Sequence, residues 1–263
     1  MRLAIHGATG RMGLAVARLA HAADDIELVG AVCAAGDDNL GRDLGELAGV
    51  GTLGVATGAD VSAGLLGADV VIDFSTVKAL VPLLHAAEKQ GVKVVSGTTN
   101  LGEREQALVA ELATKVAVLW APNMSRGVQV LAELVTHAVQ RLGLDFDIEI
   151  VETHHRRKVD APSGTAKRLA HAAHSARAGL SEVFGREGEV GARRPDEMAV
   201  FGLRGGDVIG DHTVYLLGDS ERLELTHRAT NRDLFARGAI QAARYVMGQP
   251  KGLFQISDML GGA

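Results

Sequence analysis

The stretch from Glu152 to Thr165 sets two adjacent histidines, three consecutive cations and two acids ahead of a helix start at Pro162, Ser163, Gly164 and Thr165. Histidine is the side chain that exchanges protons most readily near neutral pH. Lysine is a compact donor whose pKa responds to burial. Backbone N–H groups at a helix start cradle a carboxylate or phosphate, and Gly164 and Thr165 would present such groups with one hydroxyl. Proton chemistry on an anionic small molecule is one reading of this window. A solvated charge run before a surface helix is the other. Strand geometry sends His154 and His155 to opposite faces, so at most one is the direct proton donor unless the backbone turns between them. Asp160 and Ser163 compete as the helix cap.

A second cluster opens the chain. Gly7, Ala8, Thr9, Gly10, Arg11, Met12 and Gly13 follow a strand-like run, Leu3 to His6, and start a helical pattern. Glycines there let the backbone approach a pyrophosphate, which helix-start N–H groups bind. The spacing is G-x-x-G-x-x-G, and alone it also describes a tight strand-to-helix turn. Its place after the first strand of an alternating pattern favours dinucleotide binding. The second strand of such a fold normally ends in an acid for the adenosine ribose. Here Cys33, grouped with the cofactor contacts, and Ala34 stand at that end. Glu27 comes too early, while Asp37 and Asp38 come slightly late and reach only from the loop. Arg11 offers charge to a 2′-phosphate, so NADH, NADPH or both remain open as the cofactor. Gly97, Thr98 and Thr99, then Ala121, Pro122, Asn123 and Met124, follow two later strands. Strand C-termini are where open parallel sheets bind ligands, and these residues would line the nicotinamide half. Ordinary turn chemistry explains either one alone.

Strands and helices must position these clusters. Ile26 to Val32, Asp69 to Phe74, Val92 to Val95 and Val116 to Trp120 are strand-like, with helical spacing after the Leu3–His6 run (Met12, Ala15, Val16, Leu19) and after Asp69 to Phe74 (Leu80, Val81, Leu84, Ala87). Alternation of this kind predicts a parallel sheet with right-handed crossovers. Gly36 to Gly67 has no clear period. A helix follows Asn123, with Val128, Leu131, Val135, Ala138 and Leu142 on one stripe. Phe146 to Ile150 alternates like a strand with one wet face. Met198 to Leu203, Val208 to Leu217 and Arg222 to His227 look like further strands without long helices between them, which favours antiparallel pairing. Asn231 to Met247 is helical. The expectation is an α/β chain. A Rossmann-like parallel-sheet dinucleotide-binding domain covers 1–125, with 234–263 packing back on it. A smaller α+β domain with a mixed or antiparallel sheet covers 126–233 and binds substrate.

Composition narrows the classes. With 47% hydrophobic residues among 263, the chain supports buried cores rather than disorder. A formal charge of -5 gives no case for nucleic acid or an anionic membrane. Cys33 is the only cysteine, which excludes an intramolecular disulfide and a cysteine-rich metal site; no metal is expected. No apolar run approaches the roughly 18 residues of a membrane span, and no signal peptide opens the chain, so a cytoplasmic protein is expected. Tyr215 and Tyr245 precede Asp219 and Gln249 at four residues, so the Tyr-x-x-x-Lys pair of short-chain dehydrogenases is missing.

These residues resemble the dihydrodipicolinate reductase family. The matches are Gly7 to Gly13, Asp73-Phe74-Ser75, Gly97 to Thr99, Ala121 to Ser125, Glu152 to Thr165, and Thr226-His227-Arg228-Ala229 with Arg232. They span nearly the whole chain, and the His-His-x-x-Lys-x-Asp-Ala-Pro-Ser-Gly-Thr block is the most specific. The resemblance implies hydride transfer from NAD(P)H to a cyclic unsaturated imine dicarboxylate. It also implies His154 as general acid, Lys158 as proton donor, and His155, Gly164 and Thr165 as carboxylate contacts. Cofactor contacts would be Gly7 to Met12, Gly97 to Thr99 and Ala121 to Met124, and the assembly a homotetramer through the second domain. Two departures stand out: the missing acid at Cys33, and Asn100 where the family commonly has glycine.

Overall fold

A computed structural model of the chain describes residues 1–261, which divide into two compact units: Met1–Met124 with the segment from Asp233 onward, and Ser125–Arg232. No helix among the described residues is long and apolar enough to cross a membrane.

The first unit is built on a seven-stranded sheet, every pair of it parallel. Its strands are β1 (Arg2–His6), β2 (Glu27–Val32), β3 (Thr57–Gly58), β4 (Val70–Asp73), β5 (Lys93–Ser96), β6 (Ala117–Trp120) and β12 (Gly252–Phe254), in the spatial order β12-β6-β5-β4-β1-β2-β3. Alternate side chains of a strand point to opposite faces. Leu3, Ile5, Ile72, Val95 and Leu119 therefore join one core, with Val16 and Ala20 of α1 (Arg11–His21) and Ala239 and Val246 of α8 (Asp233–Met247). Ala4, Val71, Val94 and Val118 join the other, with Leu80 and Leu84 of α4 (Val77–Gln90) and Val109 of α5 (Glu103–Ala113). Burial on both faces explains why these strands read as unbroken apolar runs. The buried polar residues of this sheet are Thr57 of β3 and Asp73, Ser96 and His6, the last three at strand C-termini.

The stretch without a period holds α2 (Leu44–Ala48) and α3 (Val61–Gly64), both short. Asp43 folds it: one carboxylate accepts the backbone N–H of Gly45, Glu46, Leu53, Gly54 and Val55, at 2.7–3.1 Å. Those N–H donors lower the Asp43 pKa.

The second unit has a five-stranded sheet ordered β11-β10-β7-β9-β8. Its strands are β7 (Asp147–His154), β8 (Ser181–Val183), β9 (Glu197–Arg204), β10 (Gly210–Leu217) and β11 (Arg222–Ala229). The sheet is mixed rather than antiparallel. β10 pairs antiparallel with β7 and β11, but β9 runs parallel to β7 and to β8. The crossover from β7 through α7 (Gly164–Ala176) brings the chain back in the same direction, which a hairpin cannot do. Ile148, Ile150, Met198, Val200, Val214 and Leu216 form the core with Leu131 and Val135 of α6 (Arg126–Leu142) and Leu169 of α7.

Candidate active site

The site of the second unit grows out of its core by strand register. Across the sheet Val200, Ile150, Val214 and Leu225 stand side by side. Two residues further along β7 the same face carries a polar row: Gly202, Glu152, His212 and His227. His154 and Arg204 are opposed in the next row. An apolar stripe thus turns into an acid–histidine cluster on one face, which period-two geometry requires once the residue types change. Both helix starts of this unit reach the row. Ser125 caps α6, and its hydroxyl lies 3.4 Å from His227 Nε2. Ser163 caps α7, and its hydroxyl lies 3.1 Å from His212 Nε2. Ser163 is thus the cap, while Asp160 pairs with Lys158 at 2.8 Å.

Glu152 is fully buried yet charged, because it is surrounded by donors. Oε1 accepts Ser163 N at 3.0 Å and Arg204 Nη2 at 2.9 Å; Oε2 lies 2.6 Å from His154 Nδ1. Burial alone would raise its pKa, but His154, Ser163 and Arg204 outweigh that and bring it to about 2. His212, edge-on to His154 with ring centroids 5.1 Å apart, is held neutral: burial above all, with the nearby His154 charge, pushes it down to about 4. Glu152, His154 and His212 each bring a nitrogen or oxygen atom within 4.8 Å of the others, a spacing within reach of one cation. Two donors on one tetrahedral zinc stand roughly 3.3 Å apart, and Glu152 Oε2 and His154 Nδ1 stand closer than that, at 2.6 Å, as a direct ion-pair contact.

β7 ends at His154, and the chain then turns, with Lys158 N donating to His155 O at 3.0 Å. That turn is why the two histidines differ: His154 is buried beside the row, and His155 lies beyond the strand, half-buried. Burial, with the Arg232 and Arg157 charges, lowers the His155 pKa. Lys158 is close enough to act electrostatically on His212. Gly164 is exposed at the first turn of α7, with Thr165 half-buried beside it. The structure therefore gathers His154, His155, Lys158 and the α7 start around one turn of chain. Glu152 and His212 went unassigned in the sequence; the E-x-H spacing on a strand was the available signal for Glu152, since i and i+2 share a face.

In the first unit the glycine turn is closely packed. Gly7 has φ +76°, and a Cβ there would meet Phe74 O at 2.5 Å; one on Gly13 would meet Gly7 O at 2.3 Å. Gly10 caps α1 without a side-chain hydrogen bond, so the first N–H groups of the helix have no side chain covering them. These features fit a dinucleotide pyrophosphate. Thr98 is gripped from two sides, its hydroxyl donating to buried Asp73 at 2.7 Å and its carbonyl accepting Trp120 Nε1 at 3.0 Å. Asp73 also takes Ser96 Oγ at 2.7 Å and His6 Nδ1 at 2.8 Å. Despite burial these partners lower the Asp73 pKa. Asn100 takes the left-handed φ of +61° that a glycine would otherwise supply. Ala121 N is bonded to Ser96 O at 3.0 Å; Asn123 is half-buried and Met124 buried after it, with Pro122 exposed.

At the end of β2, Cys33 is buried and its N–H bonds Gly58 O at 2.9 Å. Burial, then the Asp37 charge, raises its pKa. Asp37 is the acid that reaches the glycine turn: its Oδ2 accepts Thr9 Oγ1 at 2.5 Å, and its Oδ1 accepts Asn39 N at 2.9 Å. The Thr9 bond is the main cause of its lowered pKa.

A doubly wound sheet with this cradle, carried in one chain with a buried acid–histidine row, defines an NAD(P)-dependent oxidoreductase. The model of the dihydrodipicolinate reductase N-terminus matches residues 1–124, and that of its C-terminus matches 127–260. The chain belongs to the dihydrodipicolinate reductase family. It is 46% identical to the 4-hydroxy-tetrahydrodipicolinate reductase of Anaeromyxobacter sp. (strain Fw109-5), over 99% of this chain and 98% of the relative. It is also 46% identical to the enzyme of that name from Halorhodospira halophila (strain DSM 244 / SL1), over 98% of each chain. Among solved structures it shares the fold of the dipicolinate-bound dihydrodipicolinate reductase from Paenisporosarcina sp. TG-14, with a TM-score of 0.77, 24% identity and 97% of each chain covered.

Proposed function

We propose that this chain reduces 4-hydroxy-tetrahydrodipicolinate, by way of dihydrodipicolinate, to tetrahydrodipicolinate in lysine and diaminopimelate biosynthesis. The observation that carries this reading is the turn holding His154, Lys158 and the α7 start, in a chain 46% identical to reductases of that name from end to end. NAD(P)H supplies the hydride when bound, and Gly7 to Met12, Gly97 to Thr99 and Ala121 to Met124 are the residues that would hold it. Negative charge then grows on the conjugated ring. His154 quenches it as general acid with the single proton the step needs, and Lys158, the second residue the family resemblance assigns to proton handling, stabilises the charge until then. His155, Gly164 and Thr165 hold a substrate carboxylate, for which a helix start is suited. The test is an absorbance assay of NADH and NADPH oxidation with substrate generated in situ by a coupled enzyme. Oxidation dependent on that substrate is expected; none with either cofactor contradicts the reading.

For the cofactor, we propose that Asp37 does the work of the missing strand-end acid and binds the ribose hydroxyls of NADH, while exposed Arg11 keeps NADPH usable. A hydrogen bond to a charged group contributes about 1.5–3 kcal/mol, so Asp37→Ala is expected to weaken NADH binding by about tenfold or more and NADPH binding much less. Fluorescence titration of both cofactors measures this. Equal losses for the two, or a preference of the unaltered protein above about a thousandfold, contradict it.

We also propose a homotetramer joined through the second unit. The sheet face opposite Ile148 and Ile150 carries Val151, Phe201 and Tyr215, half-buried, and exposed Leu203. Apolar surface of that kind favours self-association. Light scattering should give the mass of four chains, and a monomer mass contradicts the proposal.

A further inference from the structure

The geometry points to Glu152 as the positioning residue of the proton-transfer step: it holds one proton of His154 on Nδ1, so that the ring, doubly protonated when it acts as the acid, delivers the other from Nε2 and is left neutral with Nδ1–H facing Glu152. This rests on the reading of His154 as general acid. Three observations carry it. First, Glu152 cannot turn away, because its Oε1 is held by Ser163 N and Arg204 Nη2, and only Oε2 is left to face His154 Nδ1 at 2.6 Å. Second, Glu152 serves His154 rather than His212. Its Oε2 lies 2.6 Å from His154 Nδ1, whereas the near partner of His212 Nε2 is Ser163 Oγ at 3.1 Å. His212 Nε2 lies 3.9 Å from Glu152 Oε2, beyond hydrogen-bond reach. Third, the other edge of the His154 ring is kept clear. A Cβ on Gly210 would lie 2.9 Å from His154 Nε2, so any side chain there would crowd the delivering nitrogen.

The charged and titratable groups around His154 come from every neighbouring strand: Glu152 on β7, Arg204 on β9, His212 on β10, and His155 and Lys158 after the turn. His227 on β11 stands behind His212. Among them, only Glu152 places an anion at hydrogen-bond distance of the ring.

Glu152→Gln keeps the shape but puts an amide donor against Nδ1. The neutral ring then carries its proton on Nε2 and would have to become an imidazolate to give it up. Imposing the wrong histidine tautomer by a carboxylate-to-amide change costs roughly 10⁴-fold in the serine-protease triad. Here kcat is expected to fall by at least about 10²-fold near neutral pH. The loss should shrink in acid, where the ring gains its second proton, and KM and NAD(P)H binding should stay within about threefold. Glu152→Asp should recover part of kcat. Unchanged kcat and pH profile in folded Glu152→Gln overturns the proposal. Should that variant not fold, nitrogen NMR of His154 in the unaltered protein decides: protonated Nδ1 in the neutral ring supports it, and protonated Nε2 overturns it. Gly210→Ala adds a second arm, with a fall in kcat at unchanged NAD(P)H affinity expected. His154→Ala separates the two readings. If it too turns over normally, the general-acid assignment fails; if it is crippled while Glu152→Gln is normal, only the role of Glu152 fails.

Discussion

Replacing His154 or Lys158 by alanine is expected to lower turnover by roughly 10²- to 10⁴-fold while NAD(P)H still binds. The reason lies in how the chain divides its tasks. Every residue proposed to cradle the cofactor lies in the first unit, and both residues proposed to handle protons lie in the second. His154 is buried beside the polar row, so its loss removes the proposed proton source without disturbing the glycine turn. Lys158 is tied to Asp160 at 2.8 Å, which aims a compact charge at the end of the turn. Its loss leaves the developing negative charge with one stabilising group fewer. Steady-state kinetics beside a fluorescence titration of NAD(P)H measures both effects. Turnover like that of the unaltered protein in both variants would remove the assigned roles.

The second large effect is expected at the other end of the chain. Gly13→Val should abolish measurable NAD(P)H binding, or weaken it by about 10²-fold or more. A Cβ at this position would lie 2.3 Å from Gly7 O, 2.6 Å from Ala8 O and 2.7 Å from Ala8 Cα. All three are backbone atoms, so no side-chain rotation relieves the overlap, and the turn itself must open. Overpacking of this kind typically costs about 1–3 kcal/mol, occasionally more, and each ~1.4 kcal/mol lost from binding is a factor of ten. Calorimetric titration with NADH checks it, beside a melting curve to show that the sheet still forms. Native affinity in the variant would mean that the turn is not the cofactor cradle.

Much of the fold is legible in the sequence because both sheets obey simple periods. The parallel strands are apolar throughout, and β7 alternates Ile148 and Ile150 with Asp147 and Glu149. What stayed hidden depends on long-range partners. Helices of four or five residues show no period, and the segment around α2 is ordered by the Asp43 carboxylate gathering five N–H groups from the helix's first turn and the loop after it. The parallel placement of β9 beside β7 follows from the α7 crossover, which strand composition does not encode. In the site, His154, His155, Lys158, Gly164 and Thr165 were legible because they are close in sequence and chemically distinctive. His212 was not, since it comes from another strand and becomes a neighbour of Glu152 only through register. Asp37 was visible but looked late; the Thr9 bond that brings it to the glycine turn is tertiary.

The central claim is hydride transfer from a nicotinamide to the ring of a dicarboxylate imine by this chain. Turnover with NADH deuterated at the transferable position of nicotinamide C4, followed by mass and NMR analysis of the product, tests it most directly. One deuterium at ring C4 of tetrahydrodipicolinate, formed by the unaltered protein and at a greatly reduced rate by His154→Ala, is the predicted result. Tetrahydrodipicolinate formed without deuterium, or deuterated NADH left unconsumed beside intact substrate, would contradict it.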